Sequence, residues 1–520
     1  MYISTRSETA PVSAAQAILA GLAPDGGLYV PRRMPALDLD ALRATRLSYT
    51  DLAFRVLSPF FPEFDGRQLA AALETSSARF DSPEVAPLAR HGSYHFLELF
   101  HGPTLAFKDL ALTLMGALTG LARDRLGVRD EIVILVATSG DTGKAALAGF
   151  SDMPGIRIVV FYPARGVSAV QRLQMVSHEA GNAAVVGIEG SFDDAQRGVK
   201  ALFADAELAG SLERRALRLS SANSINIARL LPQIVYYVKA WRDLADSGKL
   251  GPNGEMDVAV PTGNFGNILA ASYAKAMGLP IRNLICASNR NHVLSDFFET
   301  GRYDRRREFY TTSSPSMDIL VSSNLERLVF EAAGRDPART AQLMGRLAAE
   351  GSFSLSEAER AVFADFRSGW ADETAAAAAI RELYDASGYL IDPHTAVAVA
   401  VADRLRGGSD GEVPLVVAAT ASPFKFPATV AAAIGLTAAE PTAPAAAPTA
   451  ASTTRPATPS VQDEDAATLA ELDLAERLAE RAGLELPQAV RELRDRPRRH
   501  DRVVAPEDMK STLLELLERP

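Results

Sequence analysis

Cysteine and basic charge are scarce in this chain, and each shortage excludes a class of protein. Cys286 is the only cysteine among 520 residues. No disulfide can therefore form within the chain, and we expect a reducing compartment, the cytoplasm. The formal net charge is −10, so there is no broad basic excess to neutralise a nucleic-acid backbone, and we expect no nucleic-acid partner. We interpret Cys286, in an apolar run, as a buried core thiol.

Signals for membranes, secretion and metals are also missing. No apolar run approaches the roughly 20 residues that a transmembrane helix needs. The N-terminal sequence lacks the basic start and apolar stretch of a signal peptide. The seven histidines are scattered, without His-Glu-x-x-His or paired-cysteine spacing. We expect no membrane partner and no bound metal.

Short runs rich in Val and Ile alternate with helical patterns from about residue 98 onward. Such runs are typical of parallel strands buried on both faces, and the alternation predicts an α/β fold. The predicted strands are 131–137, 157–162, 183–188, 256–260, 284–287 and 414–419. The predicted helices include 168–180, 195–208, 227–244, 469–482 and 506–517, and residues 356–407 also look helical.

Composition and length predict several domains. Residues 1–95 form an N-terminal domain of short helices around a Gly-Gly turn. Residues 96–137 and 221–436 form a large α/β domain, with a smaller α/β domain, 138–220, inserted into it. Residues 437–462 are a Pro/Ala-rich linker that cannot build a core, and residues 463–520 are a helical C-terminal segment.

Lys108 is a candidate catalytic residue. It follows the apolar pair Ala106-Phe107 and a turn-forming Gly-Pro. A lysine amine can form a Schiff base with an aldehyde cofactor, and a lowered pKa lets it act as a base. On local sequence alone, a solvated surface lysine is an equally good interpretation.

Two glycine-containing turns, 138–144 and 261–267, each follow a predicted strand and precede a helical pattern. Such a turn directs backbone N–H groups and the positive end of a helix at one point, which suits a carboxylate or a phosphate. Because the carboxyl ends of parallel strands share one edge, the pair predicts two anionic groups held close together. The alternative for each is a plain strand–helix turn.

Two further segments have both a functional and a structural interpretation. Asn223 and Ser224 suit a helix N-terminus, and Arg229 follows about one turn later. They form either a cap with a surface arginine or a phosphate clamp. Thr420 ends the strand 414–419, where its hydroxyl faces a pocket or merely belongs to a turn.

Together these segments resemble the threonine synthase family, within the fold-type-II pyridoxal-phosphate enzymes. The motifs run through most of the chain and include 1–6, 22–30, 101–109, 139–143, 223–229, 263–267, 314–320, 323–327 and 486–493. The resemblance implies a fold like that of the tryptophan synthase β chain, with two α/β domains, an N-terminal cap and C-terminal helices. It makes residues 1–95 the threonine synthase N-terminal domain and the large α/β domain the one that binds the cofactor.

The resemblance also implies roles for individual residues. Lys108 would be the catalytic residue that carries pyridoxal 5'-phosphate, and Thr420 would face the pyridine nitrogen. The cofactor phosphate would lie in a cup, with Asn264 near the ring hydroxyl, made by Gly263, Asn264, Phe265, Gly266 and Asn267. The substrate carboxylate would be bound by Thr138, Ser139, Gly140, Asp141 and Thr142. The substrate phosphate would be bound by Asn223, Ser224 and Arg229.

The implied reaction converts O-phospho-L-homoserine and water to L-threonine and phosphate, by γ-elimination and β-addition of water, in a monomer or homodimer. A phospholyase that releases 2-oxobutanoate and ammonia is one alternative, and a non-catalytic binding paralogue is another. Ser422 stands where many relatives carry histidine, so the resemblance assigns no role to residue 422 in the pocket wall. The linker is interpreted as an insertion without a catalytic role.

Overall fold

A computed structural model describes residues 1–138, 140–164, 167–251, 253–406, 413–436 and 461–518, without the side chains of residues 193 and 461–466. Ser139 and nearly all of the predicted linker therefore lie outside the described residues. Within them, no helix is both long enough and apolar enough to cross a membrane.

The strands of the described residues form two large sheets and two small antiparallel sheets of two strands each, β1-β2 and β11-β12. The strands, in chain order, are β1 (Tyr2–Ser4), β2 (Tyr29–Pro31), β3 (Leu88–His91), β4 (Tyr94–Glu98), β5 (Glu131–Ala137), β6 (Ile156–Pro163), β7 (Ala183–Ile188), β8 (Leu217–Ser221), β9 (Met256–Pro261), β10 (Ile281–Ser288), β11 (Arg302–Asp304), β12 (Ser352–Ser354), β13 (Phe366–Trp370), β14 (Leu415–Ala419) and β15 (Val503–Val504). The six-stranded sheet has the order β13-β10-β9-β14-β4-β3, and the five-stranded sheet has the order β15-β7-β6-β5-β8.

Helices cover both large sheets and build the N-terminal region. The helices, in chain order, are α1 (Ala14–Ala20), α2 (Leu39–Ala44), α3 (Tyr49–Leu57), α4 (Gly66–Ser77), α5 (Lys108–Leu126), α6 (Asp141–Phe150), α7 (Ala169–Val176), α8 (Phe192–Ala204), α9 (Ala206–Glu213), α10 (Ile227–Leu230), α11 (Gln233–Asp246), α12 (Gly266–Ala276), α13 (Val293–Thr300), α14 (Leu325–Ala332), α15 (Pro337–Glu350), α16 (Glu357–Arg360), α17 (Glu373–Ser387), α18 (Pro393–Arg406), α19 (Pro427–Ala433), α20 (Val461–Ala482), α21 (Gln488–Arg491) and α22 (Met509–Glu518).

All six predicted strands are present, and each pairs in parallel with its neighbours. Successive side chains of β5 point to opposite faces of its sheet, and both faces are buried, which explains why the run is apolar throughout. Ile132 and Ile134 belong to the main core, while Val133 and Leu135 belong to a second core on the other face of the same sheet. Cys286 is fully buried in β10, and burial raises the pKa of its thiol to about 12, so its prediction as a core thiol is confirmed.

Several predicted elements need correction. The segment 356–407 is not wholly helical, because β13 within it pairs alongside β10, and this tertiary pairing outweighs the local pattern. The helix predicted over 227–244 is divided into α10 and α11 at Pro232, which lacks the N–H that a continuous helix uses. The helix predicted over 195–208 ends at Asp205, whose carboxylate accepts the Leu208 N–H and starts α9.

One predicted domain boundary is also misplaced. β5 lies between β6 and β8 in the smaller sheet, whereas the predicted division assigned residues 131–137 to the larger α/β domain. The physical reason is its parallel register with both of these neighbours, which no local pattern reveals. The remaining boundaries stay predictions.

Candidate active site

A cavity of about 270 Å³ lies where strands of both large sheets end and helices begin. Lys108, Asp141 and Gly266 are the first residues of α5, α6 and α12. Nearly all of the residues predicted for the site line this cavity: Lys108, Thr138, Asp141, Thr142, Asn223, Ser224, Arg229, Gly263, Asn264, Phe265, Gly266, Asn267 and Thr420. Gly140 does not line it, and Ser139 lies outside the described residues.

Lys108 is buried, with 9% of its surface exposed, so its interpretation as a surface lysine is wrong. Its Nζ donates to Asp141 Oδ2 at 3.2 Å and to Ser316 Oγ at 3.4 Å. Burial lowers the pKa of Lys108, and the charges of Lys425 and Arg229 lower it further, while Asp141 partly offsets them. A buried amine with a lowered pKa is suited to forming a Schiff base and to moving protons.

The Asp141 carboxylate lies between two buried lysines. Its Oδ1 is 2.7 Å from Lys425 Nζ and also accepts from Gln171 Nε2 at 2.7 Å, while its Oδ2 faces Lys108 and Ser316. Burial would raise the pKa of this carboxyl, but Lys425 and Lys108 more than offset it and hold the pKa well below its usual range. A negative charge here fixes the position of Lys108, and it also excludes this side chain as a direct ligand for a substrate carboxylate.

The turn before α6 is held by its own threonine. Thr138 Oγ1 accepts hydrogen bonds from the N–H groups of Gly140 and Gly143, each at 2.9 Å. These two donors of the predicted anion loop are therefore satisfied inside the protein. Gly140 has φ +140°, and a Cβ there would lie 2.7 Å from Cδ of Gln171, which hydrogen-bonds Asp141. The chain thus needs glycine at this point for backbone conformation and for space.

We expect Gly140→Ala to lower the free energy of unfolding by roughly 2–4 kcal/mol, through backbone strain and displacement of Gln171. Urea denaturation followed by circular dichroism measures this change. Gly127→Ala is the matched control, because Gly127 also has positive φ (+65°) but a Cβ there would have no atom within 4 Å. The control should lose only about 1 kcal/mol. Equal losses in the two variants would contradict the steric argument.

The second loop, 263–267, leads directly into α12. Phe265 adopts a left-handed conformation (φ +65°) immediately before the helix. Asn267 Oδ1 accepts the hydroxyls of Tyr236 and Tyr237 at 2.6 and 2.5 Å, which fixes the orientation of the amide. Its Nδ2 is buried and finds no partner among the described residues. Such a donor at a cavity wall suits an anionic oxygen.

Arg229 is 3% exposed, so its interpretation as a surface arginine is wrong. Its Nη1 donates to the Ala222 carbonyl at 2.7 Å, and its Nε has no partner within the described part of the chain. Burial lowers the pKa of Arg229 to about 10, so it stays charged at neutral pH. The helix cap is Asn226, which accepts the Ala228 N–H at 3.0 Å, and not the predicted Asn223 and Ser224. That leaves Asn223 and Ser224 at the cavity.

Thr420 and Ser422 differ in what they contact. Thr420 lines the cavity, and its backbone joins two neighbours, donating to Thr395 Oγ1 and accepting the Phe107 N–H. Ser422 does not line the cavity; it is buried, and its hydroxyl accepts the Phe424 N–H at 3.3 Å. The serine that replaces the family's histidine thus caps a short turn.

Sequence reasoning missed His394 as a cavity residue. Its Nε2 accepts the Ser316 N–H at 3.1 Å, and its Nδ1 lies 2.6 Å from Asp392 Oδ2. Accepting at Nε2 requires the proton to be on Nδ1, so the ring is neutral and fixes the segment that places Ser316 beside Lys108. The signal available in the sequence was an aspartate two residues before a histidine at the start of a helical pattern.

Three family models match the chain. They are "Threonine synthase N terminus" at residues 1–77, "Pyridoxal-phosphate dependent enzyme" at 81–421 and "Threonine synthase, C-terminal" at 395–471. A protein of Pseudomonas aeruginosa named Threonine synthase is 42% identical over 436 residues, which cover 82% of this chain and 89% of that protein. The chain belongs to the threonine synthase family.

Two further relatives show how much of the fold and of the chain length this threonine synthase family member shares. The PLP-bound threonine synthase from Brucella melitensis superposes with a TM-score of 0.83 at 37% identity, covering 99% of both chains. The fold is therefore that of the fold-type-II pyridoxal-phosphate enzymes, as predicted. Threonine synthase-like 1 of Homo sapiens is 43% identical over 79% of this chain but 56% of its own length. The chain thus spans only about half the length of some curated relatives.

Proposed function

We propose that this protein is a threonine synthase that carries pyridoxal 5'-phosphate on Lys108 and converts O-phospho-L-homoserine and water to L-threonine and phosphate. The observation that carries the proposal is a buried lysine in a cavity that also holds two separate sets of anion-binding side chains. Family membership supplies the reaction, because the relatives named Threonine synthase match this chain over most of its length.

The residues at the cavity fit the cofactor. Lys108 offers the amine, and the phosphate would be held by the loop Gly263, Asn264, Phe265, Gly266 and Asn267. Asn267 Nδ2 is a buried donor there without a partner among the described residues. Thr420 would face the pyridine nitrogen with a neutral hydroxyl, which does not force that nitrogen to stay protonated. When bound, the cofactor withdraws electrons from the carbon beside the substrate amine.

The other predicted residues would hold the substrate. Arg229, with its unpartnered Nε, and the neighbouring Asn223 and Ser224 suit the phosphate, because a guanidinium and polar donors match its geometry. Within the predicted turn 138–142, Thr142, which lines the cavity, is the residue that would bind the substrate carboxylate. Asp141 takes part as the residue that positions Lys108.

Lys108 is the group that would move protons. Its lowered pKa leaves a larger neutral fraction than a solvated lysine has, and Nζ stands at the cavity wall within hydrogen-bond reach of Ser316. Asp141 and Lys425, both buried, keep this amine in place while the substrate changes.

We expect the purified protein with pyridoxal 5'-phosphate to convert O-phospho-L-homoserine to threonine and phosphate, identified by mass spectrometry. Arg229→Ala should raise the KM about a hundredfold, because it removes charged hydrogen bonds to the phosphate. Arg498→Ala, at an exposed arginine that does not line the cavity, is the matched control. Formation of 2-oxobutanoate and ammonia would establish the phospholyase instead. Absence of both cofactor binding and turnover would contradict the proposed enzyme and favour the binding paralogue.

We further propose that the enzyme acts in the cytoplasm as a monomer or homodimer. The single cysteine, buried in β10, supports a reducing compartment. Light scattering of the purified protein measures its oligomeric state directly.

A further inference from the structure

A second cavity, of about 420 Å³, lies between α6, α7 and the segment that follows α21. None of the residues that line it also lines the cavity at Lys108. Four of its residues carry positive charge, namely Arg79, Lys144, Arg496 and Arg499, and one, Glu179, carries negative charge. The cavity is therefore strongly basic in a chain whose net charge is −10.

Two of these cations have no carboxylate partner. Arg496 and Arg499 pair with Glu492 and Glu179, but Arg79 forms no ion pair with any residue that the structure describes. Lys144 is 7% exposed, and among the described residues its Nζ hydrogen-bonds only a neutral group, His178 Nδ1, at 2.9 Å. Lys144 is therefore a buried cation without a counter-charge among the described residues, which favours an anion as its missing partner. The exposed Arg79 adds a second unpaired positive charge at the same cavity.

The partners of His178 show that its ring is neutral. Ser151 Oγ donates to the Leu147 carbonyl, so it accepts from His178 Nε2, 2.8 Å away. His178 Nδ1 therefore carries no proton and accepts from Lys144. Burial and the charge of Lys144 lower the pKa of His178 to about 3, so it does not add a competing charge.

The amide of Gln174 is a second, independent indication of a ligand. Gln174 is 2% exposed on α7 and lines the cavity, yet neither Oε1 nor Nε2 has a partner among the described residues. A buried amide without hydrogen bonds costs about 1–3 kcal/mol, so such groups normally have partners. A ligand that satisfies both atoms must offer an acceptor to Nε2 and a donor to Oε1.

We propose that this cavity is a second anion site, which binds a small phosphorylated molecule bearing a hydroxyl or amino group. Lys144 and the arginines hold the phosphate oxygens, and Gln174 binds one acceptor and one donor of the ligand. Phosphate is favoured over a single carboxylate because it offers more oxygens to the several cations of the cavity. Burial lowers the pKa of Lys144 to about 7, with the charge of Arg496 the next cause, and the negative charge of a bound anion would offset both by favouring the protonated amine.

The site joins two parts of the protein. Lys144 is one turn along α6 from Asp141, the residue that positions Lys108, while Arg496 and Arg499 come from the C-terminal segment. A bound anion therefore fastens that segment to the helix that begins at the active site. The inference concerns binding alone and does not depend on the proposed reaction.

Isothermal titration of the holoenzyme with inorganic phosphate tests the proposal. The Arg229→Ala background is used because it is expected to weaken phosphate binding at the active site about a hundredfold, and so separates that binding from binding at the second cavity. In this background we expect saturable binding of one phosphate, weakened on the order of tenfold to a hundredfold by Lys144→Met and by Arg79→Ala. Arg79 is exposed, so its replacement leaves the fold intact. Arg498→Ala is the matched control from the same C-terminal loop, and it should bind as the background does.

Three outcomes would overturn the site. They are no binding in the Arg229→Ala background, binding in Lys144→Met and Arg79→Ala that is as strong as in the background, or a loss in the Arg498→Ala control as large as in those two variants. The last would show that surface charge alone attracts phosphate. Because the readout is binding and not turnover, a catalytically silent protein would still reveal the site, so failure of the proposed function is distinguishable from failure of this inference.

Discussion

Lys108→Ala is expected to reduce threonine formation by more than about a thousandfold, the largest effect of any single change. The substitution removes both the amine that attaches the cofactor and the base that moves protons at the cavity wall. Residual binding of the cofactor should persist, because the loop 263–267 is untouched. Borohydride reduction followed by mass spectrometry of a digest measures the attachment. The wild-type protein should carry the cofactor's mass on the peptide containing Lys108, and the variant should carry none.

Lys144→Met is the matched control for that experiment. Lys144 is also buried, at 7% exposed, and its pKa is also lowered, but it lies outside the cavity at Lys108. The control should keep the cofactor mass on the peptide containing Lys108. Detection of the cofactor on a different lysine in the Lys108→Ala protein, with activity retained, would show that the assignment is wrong. Circular dichroism of each variant verifies that it is folded.

Asp141→Asn is expected to lower the free energy of unfolding by about 3–5 kcal/mol. The reason is that Lys425 is fully buried, and its Nζ has only Asp141 and the Thr104 carbonyl as partners among the described residues. Without the Asp141 charge, an uncompensated positive charge would remain in the interior. The same change removes the opposite charge next to Lys108 and should lower the pKa of that amine further. Urea denaturation at pH 7 measures the stability loss.

The pH dependence of this loss has a definite sign. The pKa of Asp141 is lower in the folded protein than in the unfolded chain. Its contribution to stability is therefore complete at pH values above about 4, the ordinary value for aspartate, and disappears as the pH falls through the folded value. The stability difference between wild type and Asp141→Asn should be constant from pH 7 to 5 and shrink below pH 4. A difference that grows on acidification would contradict the assignment.

A double-mutant cycle that combines Asp141→Asn with Lys425→Met measures the interaction energy between these two side chains apart from their contacts with other residues. If the two side chains stabilise each other, the double variant should be more stable than the sum of the single losses predicts, with a coupling energy of about 1–3 kcal/mol. Additive losses would mean that each residue acts through other neighbours.

Strands were predicted well where burial on both faces leaves an apolar run. β5 and β7 have the predicted bounds, since all of their residues except Glu131 and Gly187 pack against one core or the other. β13 and β15 were missed because their residues are partly exposed at sheet edges and depend on pairing with distant strands. Pairing between residues far apart in sequence leaves no periodic signal in the local pattern.

The candidate site shows the same limit. The segments around Lys108, Arg229 and the loop 263–267 carry recognisable motifs, and the structure brings them to one cavity. The environment of each residue was not predictable, because it is made by partners from elsewhere. Asp141 was predicted beside the substrate and lies between two lysines, and His394 acts through Ser316, 78 positions away in the sequence. These contacts depend on how the sheets pack and not on spacing.

The position of β15 has a consequence for how the protein is made. Val503 and Val504 pair with Gly187 and Ile188 at the edge of the smaller sheet, and α22 packs on the outer face of that sheet. On a ribosome, β7 emerges long before these residues exist, so its edge stays open while the rest of the chain is synthesised. An open strand edge is a template for pairing with other chains. The nascent protein is therefore prone to aggregation through this edge from the emergence of β7 until β15 pairs with it, and a chaperone that covers strand edges would be most effective in that interval.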